Sequence, residues 1–150
     1  MEFEGISTKN ICKSDSTDTS LDLSHSSTKL AVQAAIDQKA LDVRALHVEA
    51  QTSIANFFVI ASGTSERHVK GIADKIETRI REEGKEKPQR KTGNEETEWV
   101  ILDYGDLMVH VFYEPTRQYY NFDELWKNAR VLDLPEELEK QLKKLRTGIY

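Results

Sequence analysis

WVILDYGDLMVHVFYEPTRQYYNFDELW, residues 99–126, is the stretch on which the fold turns. Two apolar runs, Trp99 to Leu102 and Leu107 to Tyr113, flank Asp103-Tyr104-Gly105-Asp106. Apolar strands around a Gly-bearing turn predict a β-hairpin. The residues after it, Thr116 to Ala129, have a helical pattern. The same stretch holds eight of the chain's twelve aromatic residues. From Thr92 through Thr116 there is no Lys or Arg, while Glu95, Glu96, Glu98, Asp103, Asp106 and Glu114 fall inside that span. Aromatic rings with carboxylates beside them are the material of protein interfaces, and a cation-free surface holds phosphate backbones poorly. The stretch therefore points to a module that grips a basic protein partner.

Working outward, residues 54–61 (IANFFVIA) form a short, nearly continuous apolar run, the mark of a strand covered on both faces. Asp42 to Val48 alternates Val43, Ala45 and His47 against Arg44, Leu46 and Val48, which suits a half-exposed strand. Thr28 to Lys39 predicts a first helix. Val69, Ile72, Ala73, Ile76 and Ile80 repeat at the spacing of one buried helical stripe, with Ser-Gly-Thr-Ser before them as turn and cap and Gly84 as the stop. Pro135 to Leu145 starts with proline and acids and ends in lysines, as a helix dipole favours. Its apolar positions permit packing on the domain or self-association as a homodimer.

Residues 1–28 contain eleven Ser or Thr and few large apolar groups, and are expected to be a disordered tail. Residues 29–129 form the domain and 130–150 a helical extension. About 120 residues can bury roughly two-thirds of their unfolded surface, enough for a core without metals or disulfides. Of the net charge of −5, the tail carries five acids against Lys9 and Lys13. No segment resembles a signal sequence or a membrane span. The first Arg is Arg44, which does not fit an Arg-rich transit peptide. The one cysteine, Cys12, excludes an intrachain disulfide and suits a reducing, cytoplasmic setting.

Signs of catalysis are weak. His25, His47, His68 and His110 have no zinc-site spacing. Ser65 and His68 could form a nucleophile–base pair, but a helix cap explains Ser65 more simply. The Ser-Gly-Thr-Ser turn lacks the Gly-Lys-Ser/Thr ending of a phosphate loop. Asp103 and Asp106 could be a metal pair, but Asp beside Gly is ordinary turn chemistry. The expectation is no catalytic residue, no metal, no cofactor, no membrane contact and no sequence-specific nucleic-acid binding.

Four pieces, ALHVEAQTSIANFFVIASGTSERHV, GIADKIE, WVILDYGDLMVHVF and RQYYNFDELW, together resemble the Iojap-like ribosomal silencing factors, from about Thr28 to Trp126. The resemblance implies an α/β (α+β) fold, a mixed sheet of about five strands flanked by helices. It also implies a nucleotidyltransferase-like architecture without working catalytic carboxylates. It further implies a partner, the large ribosomal subunit at universal large-subunit protein fourteen, and translation repressed under nutrient limitation by obstruction of the small subunit. A role in large-subunit assembly is the first alternative, and a nucleotidyltransferase-like enzyme the second. By matched motif, Trp99, Leu102, Asp103, Tyr104, Asp106, His110 and Phe112 fall near the contact, followed by Arg117, Tyr120, Leu125 and Trp126. The chain departs from the family pattern at His47, Asn56 and Thr92-Gly93, which puts in doubt any role tied to the acids usual there.

Overall fold

The apolar stripe at residues 69–80 becomes the longest helix among the described residues, and the sheet is built against it. The computed structural model describes residues 26–93, 98–134, 136 and 138–141. In chain order the elements are α1 (Ser26–Asp37), β1 (Leu41–His47), β2 (Phe57–Gly63), α2 (Glu66–Gly84), β3 (Arg90–Thr92), β4 (Trp99–Asp103), β5 (Leu107–Tyr113), α3 (Glu114–Tyr120), α4 (Phe122–Leu125) and β6 (Arg130–Val131). The strands form one six-stranded sheet in the order β3-β4-β5-β2-β1-β6. Only β2 and β5 pair in parallel, from Phe57 opposite Leu107 to Gly63 opposite Tyr113; the other neighbours are antiparallel. A parallel pair needs a crossover, and α2 supplies it.

Successive side chains on a strand point to opposite faces. Val43, Ala45, Val59, Ala61, Val100, Leu102, Val109 and Val111 join Ala31, Ala34, Ala35, Val69, Ile72, Ile76 and Ile80 of α1 and α2 in one aliphatic core. Leu46, Phe58, Ile60 and Phe112 form a second, aromatic cluster with Phe122 and Ala129, flanked by Trp99, Met108 and Trp126. Among the described residues, no long helix covers this face. The short α3 and α4 and the residues after them do.

The helical stripe agrees residue for residue: Val69, Ile72, Ala73, Ile76 and Ile80 are the buried side of α2. Ser65 is its N-cap, with Oγ accepting from the His68 amide at 3.0 Å. The hairpin also forms as expected, with Gly105 at φ +93° in its turn and its amide donating to Asp103 Oδ1 at 2.9 Å.

Other boundaries differ. Helix α1 begins at Ser26, inside the stretch expected to be tail, because Ser27 and Thr28 are buried and the Ser27 hydroxyl donates to Glu86. Strand β2 begins at Phe57, leaving Ile54 exposed, since the amides of Asn56 and Phe57 both donate to the Asp106 carbonyl. Gly84 is the last helical residue of α2, not its left-handed cap; Lys85 takes that conformation at φ 57°. Strands β3 and β6 bring the sheet to six. The helix expected over 116–129 is two short helices, broken at Asn121, which sits at φ 52°. Cys12, His25 and residues 1–25 lie outside the described residues, as does most of the helix expected over 135–145.

Candidate partner-binding face

The hairpin sets the site. Trp99, Ile101 and Asp103 of β4 lie opposite Phe112, His110 and Met108 of β5, so these six share the face away from α1 and α2. The Trp99 ring stacks on Phe112 with centroids 4.7 Å apart, and Phe122 meets it edge-on at 5.6 Å. Tyr120 lies at 5.6 Å from Trp99. Phe58 joins the cluster to Trp126, their rings crossing at 4.7 Å. Trp99, Met108 and Trp126 are half-buried. The rim is open: Tyr119 is 83% exposed, Tyr120 53% and Leu125 70%.

His110 lies beneath this rim, 4% exposed, among Phe58, Trp99, Phe112 and Phe122. Burial lowers its pKa to about 3, so the imidazole is neutral. The Trp99 indole N–H donates to His110 Nδ1 at 3.2 Å. An indole nitrogen can only donate, so the imidazole proton resides on Nε2. Neither that Nε2 nor the buried Trp126 Nε1 has a hydrogen-bond partner.

Arg117 anchors the cover. Its guanidinium, 2% exposed, meets Asp123 in a fork, Nε to Oδ2 and Nη2 to Oδ1 at 3.0 Å each. Nη1 donates to the Asp42 carbonyl at 3.0 Å and to Ser62 Oγ at 2.8 Å. Asp42 can offer its carbonyl because it sits at φ 49° beside a bulge in β1. One side chain thus ties α3 and α4 to the ends of β1 and β2.

Five of the eleven expected contact residues are therefore interior. Leu102 and Tyr104 belong to the helix-covered core, on the wrong side of the sheet. Strand parity explains the error, because Leu102 is an odd step from Trp99 while Ile101 is an even one. Burial, then Glu77 and Glu86, raises the Tyr104 pKa well above the ordinary phenol range, and its hydroxyl is unpartnered. His110 and Phe112 are on the correct face but sealed, and Arg117 is buried by its own bonds. Trp99, Asp103, Asp106, Tyr120, Leu125 and Trp126 keep accessible surface.

A charge expectation also changes. Residues 92–116 lack cations in sequence, but β3 lays Arg90 directly opposite Asp103. Lys91, on the other face, bonds Glu77 at 2.8 Å. The acidic character of the aromatic face is thus diluted at its β3 edge. Met108, Arg90, Ser62 and Asp123 are parts of the site or its support that sequence reasoning misses, and Tyr119, one of the aromatics of residues 99–126, is not among the eleven. For Met108, the even-step rule along β5 was the available signal.

The features considered for catalysis are engaged locally. His68 Nδ1 accepts from the Thr64 amide at 2.9 Å, and Nε2 bonds the Gln38 carbonyl at 2.8 Å. A Cβ on Gly63 would stand 2.9 Å from the Val69 amide nitrogen, so the loop packs tightly on α2. Among the described residues, no group of three or more His, Cys, Asp or Glu could hold a metal ion. Likewise, none of their helices is long and apolar enough to cross a membrane.

Comparison with known proteins agrees with this architecture. A ribosomal silencing factor of Halalkalibacterium halodurans is 42% identical over 106 residues, covering 71% of this chain and 90% of that protein. That of Bacillus subtilis is 38% identical, covering 71% and 89%. The chloroplastic Iojap protein of Zea mays is 33% identical over 73% of this chain and 47% of its own length. A crystallised protein from Chromobacterium violaceum superimposes with a TM-score of 0.65 at 32% identity, covering 74% of this chain and 88% of that one. Another, from Bacillus halodurans, gives 0.61 at 38% identity, covering 71% and 95%. Residues 22–147 match the family described as ribosomal silencing factor during starvation, and this chain belongs to that family.

Proposed function

We propose that this protein acts in the cytoplasm by docking its aromatic face on universal large-subunit protein fourteen and so barring the small subunit from the large one. No bond is made or broken in this mechanism. Occupation of one partner surface of about 800 Å² places a domain-sized body where another subunit must sit. The observation that carries the reading is the open apolar rim: Tyr119 and Tyr120, continuous with half-buried Trp99, together with exposed Leu125. Large rings held by a rigid sheet supply contact area at low entropic cost, and two or three such anchors at about 2 kcal/mol each dominate an interface. Asp103 and Asp106 beside them favour a basic partner and raise the association rate, an effect that salt weakens.

The test is a sucrose-gradient profile of ribosomal subunits with and without the purified protein. Loss of the joined-ribosome peak, restored by Tyr120→Ala with Leu125→Ser, supports the reading. A full joined peak with the protein riding on precursor particles moves it to large-subunit assembly. A variant that sediments with large subunits as well as the wild type does removes this face from the mechanism.

A further inference from the structure

We infer that His110 is a positioning residue: without touching the partner, it holds the indole of Trp99 so that the ring meets the partner with its carbon edge. This rests on the proposed docking face and adds what orders it. The indole N–H of half-buried Trp99 points inward, at His110 Nδ1 3.2 Å away. An indole at a surface ordinarily turns its N–H to water or to a partner's acceptor. Here that donor is spent inside, while Phe112 stacks on the ring at 4.7 Å and Phe122 abuts it edge-on. Stack, edge contact and hydrogen bond together leave the ring one orientation. With its N–H engaged inside, the indole offers a partner its carbons, so the group that meets it is an apolar side chain or an alkyl stem, not a hydrogen-bond acceptor.

The imidazole fits this task. It sits diagonally across the β4–β5 ladder from Trp99, with Phe58, Phe112 and Phe122 as its other ring neighbours, none of them titratable. A protonated ring would turn Nδ1 into a donor facing another donor. The surrounding hydrocarbon keeps the ring neutral, so the bond persists from pH 8 down to about pH 5.

The experiment compares wild type with His110→Phe, which keeps an apolar ring but removes the acceptor, and with His110→Gln, which can restore one. Two readouts are taken: the Trp99 indole N–H in nitrogen–proton NMR spectra, assigned with Trp126→Phe, and co-sedimentation with purified large subunits. Expected are a slowly exchanging Trp99 indole proton in wild type, rapid exchange in His110→Phe, and partial recovery in His110→Gln. Binding should fall about tenfold in His110→Phe, equal to about 1.4 kcal/mol, and recover in His110→Gln. If His110→Phe folds, keeps a protected indole proton and binds as wild type, the inference is overturned. If His110→Phe binds weakly while the indole proton is unchanged, the effect does not run through Trp99, which also overturns it. If the indole proton responds as described but the wild type does not sediment with large subunits, the docking face fails while the hydrogen bond stands.

Discussion

The two faces of the sheet are built from different materials and held by different means. On the helix side, valine, alanine and isoleucine from six elements interlock, with most of the side chains fully buried. On the other side, large rings occupy the space and a short broken helical segment covers them incompletely. Aliphatic packing against two regular helices closes completely because both surfaces are periodic. An aromatic cluster under α3 and α4 cannot close, since those helices have seven and four residues and are divided at Asn121. On the proposed docking role, the contrast separates the two closed layers that stabilise the domain from the open rim that would make contact. The helix side makes the domain, and the aromatic side presents the rim while its buried rings hold that rim rigid.

The largest effect should come from breaking a ring that belongs to the core of the aromatic side. Phe58→Ala removes the ring that joins Trp126, Phe122 and His110, and should cost about 3 to 5 kcal/mol in urea denaturation. A cost below about 1 kcal/mol would mean that the aromatic side is not a core at all. Next comes Arg117→Met. It leaves Asp123, Ser62 Oγ and the Asp42 carbonyl without their shared donor, and loss of one partner in a buried network costs about 3 to 5 kcal/mol. Asp123 is itself partly exposed, so the lower end of that range is expected. The diagnostic is where the loosening appears. Amide exchange should quicken across residues 114–125 before it quickens in α2; simultaneous change in both would show that the cover is not a separate unit.

Acid should also distinguish the two sides, because the only described histidine sealed in a core is on the aromatic one. The sign follows from linkage. His110 has a folded pKa of about 3 against an ordinary 6.5, so above 6.5 the folded and unfolded chains are both neutral at this group. As pH falls below 6.5 the unfolded chain takes up a proton that the folded one refuses, and stability drops. By about pH 4.5 the loss should reach roughly 2 to 3 kcal/mol. His110→Gln should flatten that part of the stability profile relative to wild type. An unchanged acid slope would mean that His110 is accessible to protons in the folded state.

What could be read from sequence divides along the same line. The buried stripe of α2 and the hairpin around Gly105 follow from local period and local turn chemistry, and both were legible. Strand β3, three polar residues exposed along their length, has no period to detect and exists because β4 offers it a partner. Strand β6 is two residues long for the same reason. Arg117 reads as a surface cation in any window, since its partners Asp42 and Ser62 are 75 and 55 residues away. The site was legible as a stretch but not as a face. Counting in even steps from Trp99 would have exchanged Leu102 and Tyr104 for Ile101. Nothing local shows that Arg90 comes to lie opposite Asp103.

The smallest stability effect belongs to the variant that should matter most for contact. Tyr120 and Leu125 are more than half exposed, and neither lies within the buried clusters. Replacing them with Ala and Ser should change folding stability by no more than about 0.5 kcal/mol each. The same pair should weaken large-subunit binding at least about tenfold, because a ring at the centre of an interface counts for far more than one in water. If the double variant melts early, the rim supports the fold and the division between the two faces is wrong. If it melts normally and binds normally, the division stands but contact lies elsewhere on the molecule. Only normal melting with lost sedimentation separates the contact rim from the buried rings beneath it, and that combination is the one an exposed rim over a buried aromatic layer calls for.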